Sequence, residues 1–555
     1  MYKRIGRLYR TLRTLRPIQI YGRLFFKFVH PKPNFDPPPS TSNVDHSFIT
    51  AAKRTASLIG PTNFAIHESK CDISKLGWDN PAFSKLFCYN LHYFDDLNAK
   101  NSIDRNEWHY ALIDRWIAEN PPGSNIGWDP YPTSLRIVNW IKWLLQGNVP
   151  NYQANASLAV QARWLTQKIE WHLMGNHLFV NAKALIFAGL FFDGDEANQW
   201  LKMGLNILSR EIPEQILPDG GQFELSPMYH ALALEDMLDI INLAKCFEKR
   251  ISKSQRLIFE AVYRNIPNML SWLRVMSHPD GEISFFNDSA FGVAPDNSEL
   301  FSYANRLDFR DYPEILSPIK FLKDSGYMRL ENFSAVVLAD VASVGPDYLP
   351  AHAHADTLSF EMSLHGVRLI VNSGTSVYEI GPERSWQRST AAHSTLCLNN
   401  KNSTEVWAAF RVGQRAKVSN IVTKKNTNKL LLCAQHNGYS YLPGAPIHQR
   451  KWELKDSCIT VTDTLLGKVA QNVTIYFYLA SGITVEKINV DTVQLCAVNG
   501  TKLGNFKVSS PGMLQIDTGT WYPRFGQKKP NIVLKVLVNA VPPFSVQSVI
   551  SWRQP

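Results

Sequence analysis

The spacing of apolar residues changes once along this chain, near Gly326, and that change constrains the fold more than any single motif. Before it, from about residue 80 to 320, apolar residues recur at helical intervals. Leu234, Met237, Leu238 and Ile241 make an i, i+3, i+4, i+7 stripe, and the window Ser157–Met174 holds Trp164, Leu165, Ile169, His172 and Leu173 in helical register. Short Pro- and Gly-containing breaks at 121–123, 147–150, 218–221 and 278–281 separate such windows. Many helices with short connections predict a bundle or toroid. After Gly326, Leu358, Phe360, Met362 and Leu364 alternate with polar residues. His365-Gly366 then turns the chain, and Val367, Leu369 and Val371 alternate again, which predicts a β-hairpin. Val473–Leu479 and Ile532–Val538 repeat the pattern. Helices followed by strands predict two domains with a shared interface, where ligand clefts form most readily. The predicted divisions are 1–42, a basic segment and Pro-rich linker; 43–322, the helical domain; and 323–555, the strand domain.

Charge divides the chain differently. Of the net charge of +10, nine basic residues lie in the first 35 positions: Lys3, Arg4, Arg7, Arg10, Arg13, Arg16, Arg23, Lys27 and Lys32. No acidic residue accompanies them, so the other 520 residues carry only +1. A nearly neutral body excludes a nucleic-acid binder with a broad basic face. Ile5, Leu8, Leu12 and Leu15 form a helical stripe among the arginines, and Pro17 interrupts it. Two readings stand for residues 1–35: a basic helix docked on an anionic membrane or an assembly complex, or a helix packed on the body with solvated arginines. Five prolines between Pro31 and Pro39 predict an extended linker. No apolar signal-like core follows the basic residues, and the best apolar stretch, Ala184–Phe192, is too short to span a bilayer. These features predict a cytoplasmic, membrane-associated protein, with the periplasm as the alternative. The seven cysteines are scattered without metal-binding spacing, so reduced thiols are expected.

Four stretches concentrate polar residues that a plain core does not need: Gly175–Asn181, Asp219–His230, Ala351–Asp356 and Arg388–Ser394. Taken singly, each is explained by a helix cap or a satisfied buried polar group. His352, His354 and Asp356 alternate, and on a strand they would project from one face. Two histidines at that spacing plus a distant third are also a plausible metal arrangement.

Together with Tyr89–Phe94, Phe286–Phe291 and Gly381–His393, these stretches resemble the heparinase II/III family of polysaccharide lyases over most of the chain. The resemblance implies an α+β multidomain fold: an incomplete (α/α) toroid, then an antiparallel β-sandwich. It also implies β-elimination of uronic-acid-containing polysaccharide between the domains. That reaction needs a group that stabilises the enolate-like state at the uronate carboxylate, a base for the C5 proton and an acid for the leaving O4. By resemblance, Asn176 and His177 face the carboxylate, Tyr229 is the acid, or acid and base together for one substrate epimer, and His352 is the second acid/base. Glu224 orients the pair, or is simply a charge at a helix start. His354 and His393 match two ligands of a structural zinc found in several members of the family, and the third position is taken by Asn372. Asn372 stands where the family has an acidic ligand, so affinity for zinc or another divalent cation should fall. Alternatively, Asn372 hydrogen-bonds the two histidines without metal. Arg384 and Arg388 are candidates for binding carboxylate or sulfate, and Trp128, Trp386 and Trp407 for stacking on sugars. The expected partner is an acidic polysaccharide or oligosaccharide and no nucleic acid. The alternatives are a C5-uronate epimerase or other polysaccharide-modifying enzyme of surface-polysaccharide assembly, a lapsed glycan-binding protein, and a hydrolase using Glu224 and Asp288.

Overall fold

Two helices open the chain, α1 (Tyr2–Leu12) and α2 (Pro17–Phe28), with Pro17 at the first turn of α2, where its missing N–H costs nothing. The computed structural model describes residues 2–313 and 315–553; the side chains of residues 2–4, Lys3 and Arg4 among them, lie outside the description. The Pro-rich segment that follows is extended but not a free tether. Arg163 donates to the carbonyl oxygens of Asp36 (2.6 Å) and Pro37 (3.1 Å), and Asp193 N donates to Ser40 O at 2.8 Å. The linker is thus strapped to the helical domain.

Among the described residues, eight further helices of ten or more residues build that domain: α3 (Asn106–Glu119), α4 (Pro130–Leu145), α5 (Tyr152–Gln167), α6 (Gly175–Phe191), α7 (Asp195–Gln215), α8 (Pro227–Cys246), α9 (Lys253–Val275) and α10 (Asn297–Arg306). Helix α6 is apolar on nearly every face, and it lies at the centre, against α4, α5, α7 and α8. Its crossing with α7 is so close that a Cβ on Gly189 would lie 2.5 Å from Leu201 N. The helical window read over 157–174 is shorter in the structure. Helix α5 ends at Gln167, and Asn181 Oδ1 accepts Glu170 N (2.9 Å) in a turn that reverses the chain into α6. Ile169 and His172 kept the helical spacing because the turn buries them too. These helices form the incomplete toroid.

Strands take over at Ile319–Leu322. One sheet runs in the order Gly512–Trp521, Lys529–Val538, Val473–Leu479, Val367–Val371, Phe360–Leu364, Ala335–Asp340, Tyr327–Glu331, Ile319–Leu322. The expected hairpin is its Phe360–Leu364 and Val367–Val371 pair, antiparallel. The second sheet centres on Ile447–Lys455, Cys458–Leu466 and Phe544–Ser551, also antiparallel. Phe360 meets Trp452 and Phe477 meets Phe506 across the layers, with ring centroids 6.4 and 5.0 Å apart, so the two sheets share a sandwich core. No disulfide forms among the seven cysteines, and no described helix is long and apolar enough to cross a membrane.

Two local devices lock the domains together. Asp219, after α7, accepts the N–H groups of Asp324 and Ser325 at 2.9 and 2.8 Å. The loop Phe286–Phe291, after α9, inserts against the segment 351–356: Asp288 N donates to His352 O, and His354 N donates to Asn287 Oδ1, both at 3.0 Å.

Candidate active site

Three pieces of local structure bring the polar residues together. Ser226 caps α8 by accepting Tyr229 N at 3.2 Å, which sets Tyr229 in the first turn of that helix. Gly175 opens α6 at φ +53°, and a Cβ there would meet Leu349 Cδ2 at 2.5 Å and Glu224 Oε1 at 3.0 Å. Glycine therefore lets Glu224 seat on the N-terminus of α6. Its Oε1 accepts Asn176 N (3.2 Å) and Asn176 Nδ2 (3.0 Å), where the helix dipole favours an anion. Glu224 is a helix-start charge, but it serves α6 rather than its own following helix.

The third piece is Asp288. It is fully buried and accepts from His352 Nδ1 (2.9 Å), His354 Nε2 (2.8 Å), Thr375 Oγ1 (3.2 Å) and the Arg384 guanidinium. Burial alone would raise its pKa, but Arg384 and the two histidines hold the carboxyl well below the usual range. An ionised carboxylate only accepts, so His352 carries its proton on Nδ1 and, when neutral, a lone pair on Nε2. That Nε2 lies 3.4 Å from Glu224 Oε2, and the His352 ring lies 3.9 Å, centroid to centroid, from that of Tyr229. The Tyr229 hydroxyl is 3.0 Å from that of Tyr378. Burial first, then the neighbouring Tyr378, pushes the Tyr229 phenol well above its ordinary pKa, so it stays protonated.

Asn176, Glu224, Tyr229 and His352 thus meet at one place, as expected from sequence. His177, next to Asn176, is one-third exposed; its Nδ1 lies 3.1 Å from Glu170 Oε2 and its ring 4.6 Å from that of Tyr131. Burial opposes its charge, yet Glu170 raises its pKa overall.

Several expectations need correction. Residues 351–356 are not a strand, and His352 and His354 converge because Asp288 holds both; Asp356 turns elsewhere, accepting Asn287 N at 3.1 Å. Arg384 is fully buried, with Nη2 on Asp288 Oδ2 (2.7 Å) and Nε on Ala409 O (3.0 Å). Arg388 is also buried, donating to Ala353 O from Nε (3.1 Å) and Nη2 (2.8 Å). Both guanidiniums are framework rather than free anion clamps. Trp128 lies in the toroid core with its Nε1 on Asn120 O (3.1 Å), and Trp407 is covered by α1. Trp386, on the short helix α11 (Pro382–Gln387), is 42% exposed and remains open to contact.

The implied metal lacks a third ligand among the residues matched to it. His354 Nδ1 and His393 Nε2 lie 3.1 Å apart; because His354 Nε2 donates to Asp288 and His393 Nδ1 donates to Ser389 O at 2.7 Å, two lone pairs face each other when both rings are neutral. Asn372 hydrogen-bonds neither ring. Its Oδ1 accepts Ser394 N (3.0 Å), its Nδ2 donates to Ser359 Oγ (3.3 Å) and its N donates to Glu361 Oε1 (2.8 Å). No cluster of three His, Cys, Asp or Glu suited to a metal exists among the described residues, whereas a zinc site takes at least three protein ligands.

Sequence reasoning missed Asp288 as the hub, and it missed Tyr378 and Phe410, which line the Tyr229–His352 pair. Asp288 lay inside a noted stretch, so position within a motif was a usable signal. Tyr378 and Phe410 stand in unremarkable loops and carried none.

Fold and site together define a two-domain protein in which a helical toroid and a β-sandwich present an Asn/Glu/Tyr/His cluster where they meet. The N-terminal model of this architecture, heparinase II/III N-terminus, matches residues 99–308, and the heparinase II/III-like C-terminal model matches 314–553. The chain belongs to the heparinase II/III family. It is 27% identical over 330 residues to a heparin-sulfate lyase of Bacteroides stercoris, covering 56% of this chain and 46% of that protein. A heparin-sulfate lyase of Pedobacter heparinus is 25% identical over 490 residues, 77% of this chain and 71% of that one. The match therefore spans less than half of the first relative's length. Among solved structures, heparinase III aligns over 96% of this chain and 88% of its own with a TM-score of 0.70 at 17% identity. A Streptomyces coelicolor chondroitin AC lyase aligns over 90% and 77%, with a TM-score of 0.51 at 10% identity. These likenesses support the fold.

Proposed function

We propose that the protein is a polysaccharide lyase that cleaves a uronate-containing polysaccharide by β-elimination at this site. The observation that carries the reading is the pairing of His352, whose Nε2 lone pair is fixed by the Asp288 contact, with a Tyr229 phenol that keeps its proton. A base and an acid lie side by side, as removal of the C5 proton and departure of O4 require. His352 Nε2 takes the C5 proton, the C–H electron pair forms the C4=C5 double bond, the C4–O4 bond breaks, and Tyr229 gives its proton to O4. Asn176 has a second amide hydrogen beyond the one on Glu224, and that donor serves the uronate carboxylate. Glu224 positions Asn176.

Hydrolysis with Glu224 and Asp288 is a poor fit, because Asp288 is fully buried and paired with Arg384, out of reach of a sugar. The relatives named as heparin-sulfate lyases suggest a glycosaminoglycan-like substrate. With Arg384 and Arg388 turned inward, recognition by the neutral Asn176 points to the carboxylate rather than to sulfate.

Incubation with heparosan, heparan sulfate, hyaluronan and alginate is expected to raise the ultraviolet absorbance of the unsaturated uronate for at least one polymer. Tyr229→Phe should lower that rate by about 10²–10⁴-fold with unchanged thermal unfolding. Silence across the panel, or full activity in Tyr229→Phe, overturns the reading. Solvent deuterium entering C5 without chain cleavage would instead identify an epimerase.

A further inference from the structure

Helices α1 and α2 are packed inside out. The face of α1 turned to the body is polar: Arg7 and Arg10 pair with Glu405, and Thr11 Oγ1 accepts Trp407 Nε1 at 3.2 Å. Arg16, between the helices, pairs with Glu214 and lies over the Tyr348 ring. On α2, Gln19 Nε2 donates to Tyr348 O (3.0 Å), and Gly22 packs on His172. The apolar stripes point the other way. Ile5, Leu8, Tyr9 and Leu12 of α1, and Ile20, Tyr21, Leu24, Phe25 and Phe28 of α2, are all exposed, with Tyr9 at 67% and Phe28 at 70%. A helix that merely packs on a protein buries its apolar stripe. Here, apart from Phe26, whose ring packs on His172 at 4.5 Å, two helices in succession turn their polar side to the body instead.

The charge around those stripes selects the occupant. Arg13, Arg23, Lys27 and Lys32 are exposed and make no ion pair among the described residues, and no acidic residue occurs before Asp36. Exposed Tyr and Phe side chains flanked by unpaired cations match the interface of an anionic bilayer, where apolar groups enter the acyl boundary and cations meet headgroups. A second copy of the same surface would set these cations against one another.

We propose that the successive helices α1 and α2 dock the protein on an anionic lipid surface, apolar stripes inward to the lipid. Their inner face fixes the geometry. It clamps Glu214 of the helical domain and Glu405 of the strand domain, and Trp407 under α1 begins the segment whose Phe410 ring is 6.0 Å from that of His352. The bilayer therefore lies on the side of the Tyr229–His352 site that carries Trp407 and Phe410, and the enzyme works on polymer at the membrane surface.

Full-length protein is mixed with vesicles of phosphatidylcholine alone, or of phosphatidylcholine with phosphatidylglycerol, and sedimented. Binding is expected only to the anionic vesicles and should weaken steeply with salt. The triple change Arg13→Ala, Arg23→Ala and Lys27→Ala should weaken it on the order of 100-fold. Leu24→Glu with Phe25→Glu should abolish it while leaving thermal unfolding unchanged, because both side chains are exposed in the free protein. Equal binding to neutral vesicles, no binding to either kind, or full binding by the Leu24→Glu/Phe25→Glu form overturns the proposal. So does a concentration-dependent dimer in light scattering that the same pair of changes dissolves, which would make a second copy the occupant.

Discussion

Arg384 and Arg388 beside the candidate site are fully buried, whereas Arg13 and Arg23 in the N-terminal helical segment stand in solvent. The buried pair has acceptors for its donors: the Asp288 carboxylate and the carbonyls of Ala353, Ala408 and Ala409. Burial, with Arg384 nearby, lowers Arg388 to about 9. The exposed pair has no such acceptors, and its charge remains available to an outside partner. One residue type thus builds a rigid frame in one region and an unpaired, solvent-facing surface in the other. The difference lies in what the fold sets opposite each guanidinium, because a buried charge persists only when paired and hydrogen-bonded.

Removing the site's shared acceptor should break this comparison most strongly. Asp288→Asn leaves Arg384 buried beside a neutral amide and frees His352 from its fixed tautomer. A loss of about 3–5 kcal/mol in urea unfolding is expected, together with loss of turnover. Stability within the error of the wild type would mean that the buried cations are as loosely held as those of the N-terminal helices.

Acid comes next. Burial lowers His230, the residue after Tyr229, to about 3, so it is neutral in the fold. The unfolded chain takes up that proton below about pH 6.5. The contribution is fully present above about 6.5 and is lost as pH falls towards 3, a cost of up to a few kcal/mol. Urea midpoints should therefore fall between pH 7 and 5. Residues 2–35 contain no acid, and their one histidine, His30, sits among the cations of the proposed lipid face, so vesicle binding should not decline over the same interval. Parallel decline of both would show that the N-terminal surface depends on the body's titration.

The smallest effect is expected at Glu405→Gln, which removes the carboxylate shared by Arg7 and Arg10 at a partly exposed site. It should cost at most about 1 kcal/mol of global stability. Amide exchange in α1 should nonetheless quicken. Unchanged exchange would mean that the Thr11 and Tyr348 contacts alone fix the two helices.

The legible parts of the fold were those in which side-chain period reports a buried face. The Leu234–Ile241 stripe became α8, and the Leu358–Val371 alternation became the hairpin Phe360–Leu364/Val367–Val371. The window at 157–174 overran because Ile169 and His172 are buried in a turn, and periodicity does not separate a buried turn from a helix. In the site, Asn176, Glu224, Tyr229 and His352 stood out because polar residues interrupt apolar runs at element ends. The inward direction of Arg384 and Arg388 did not, since sequence gives residue type but not the acceptors across the chain. Apolar spacing in α1 marked a helix with two possible orientations, and only the pairing of Arg7 and Arg10 with Glu405, nearly four hundred positions away, turned its stripe outward.

The sequence by itself determined the helix-then-strand order, the segregation of basic charge into the first 35 residues and the identities of the polar cluster. These are local properties: hydrophobic period, composition and short motifs follow from neighbours along the chain. The tertiary structure alone decided that Asp288 fixes His352, that Asn372 leaves the histidine pair without a third metal donor, and that the N-terminal helices' cations face solvent while those beside the site do not. Each of these depends on groups far apart in sequence, and long-range packing sets the distances and burial that govern their charge and hydrogen bonds.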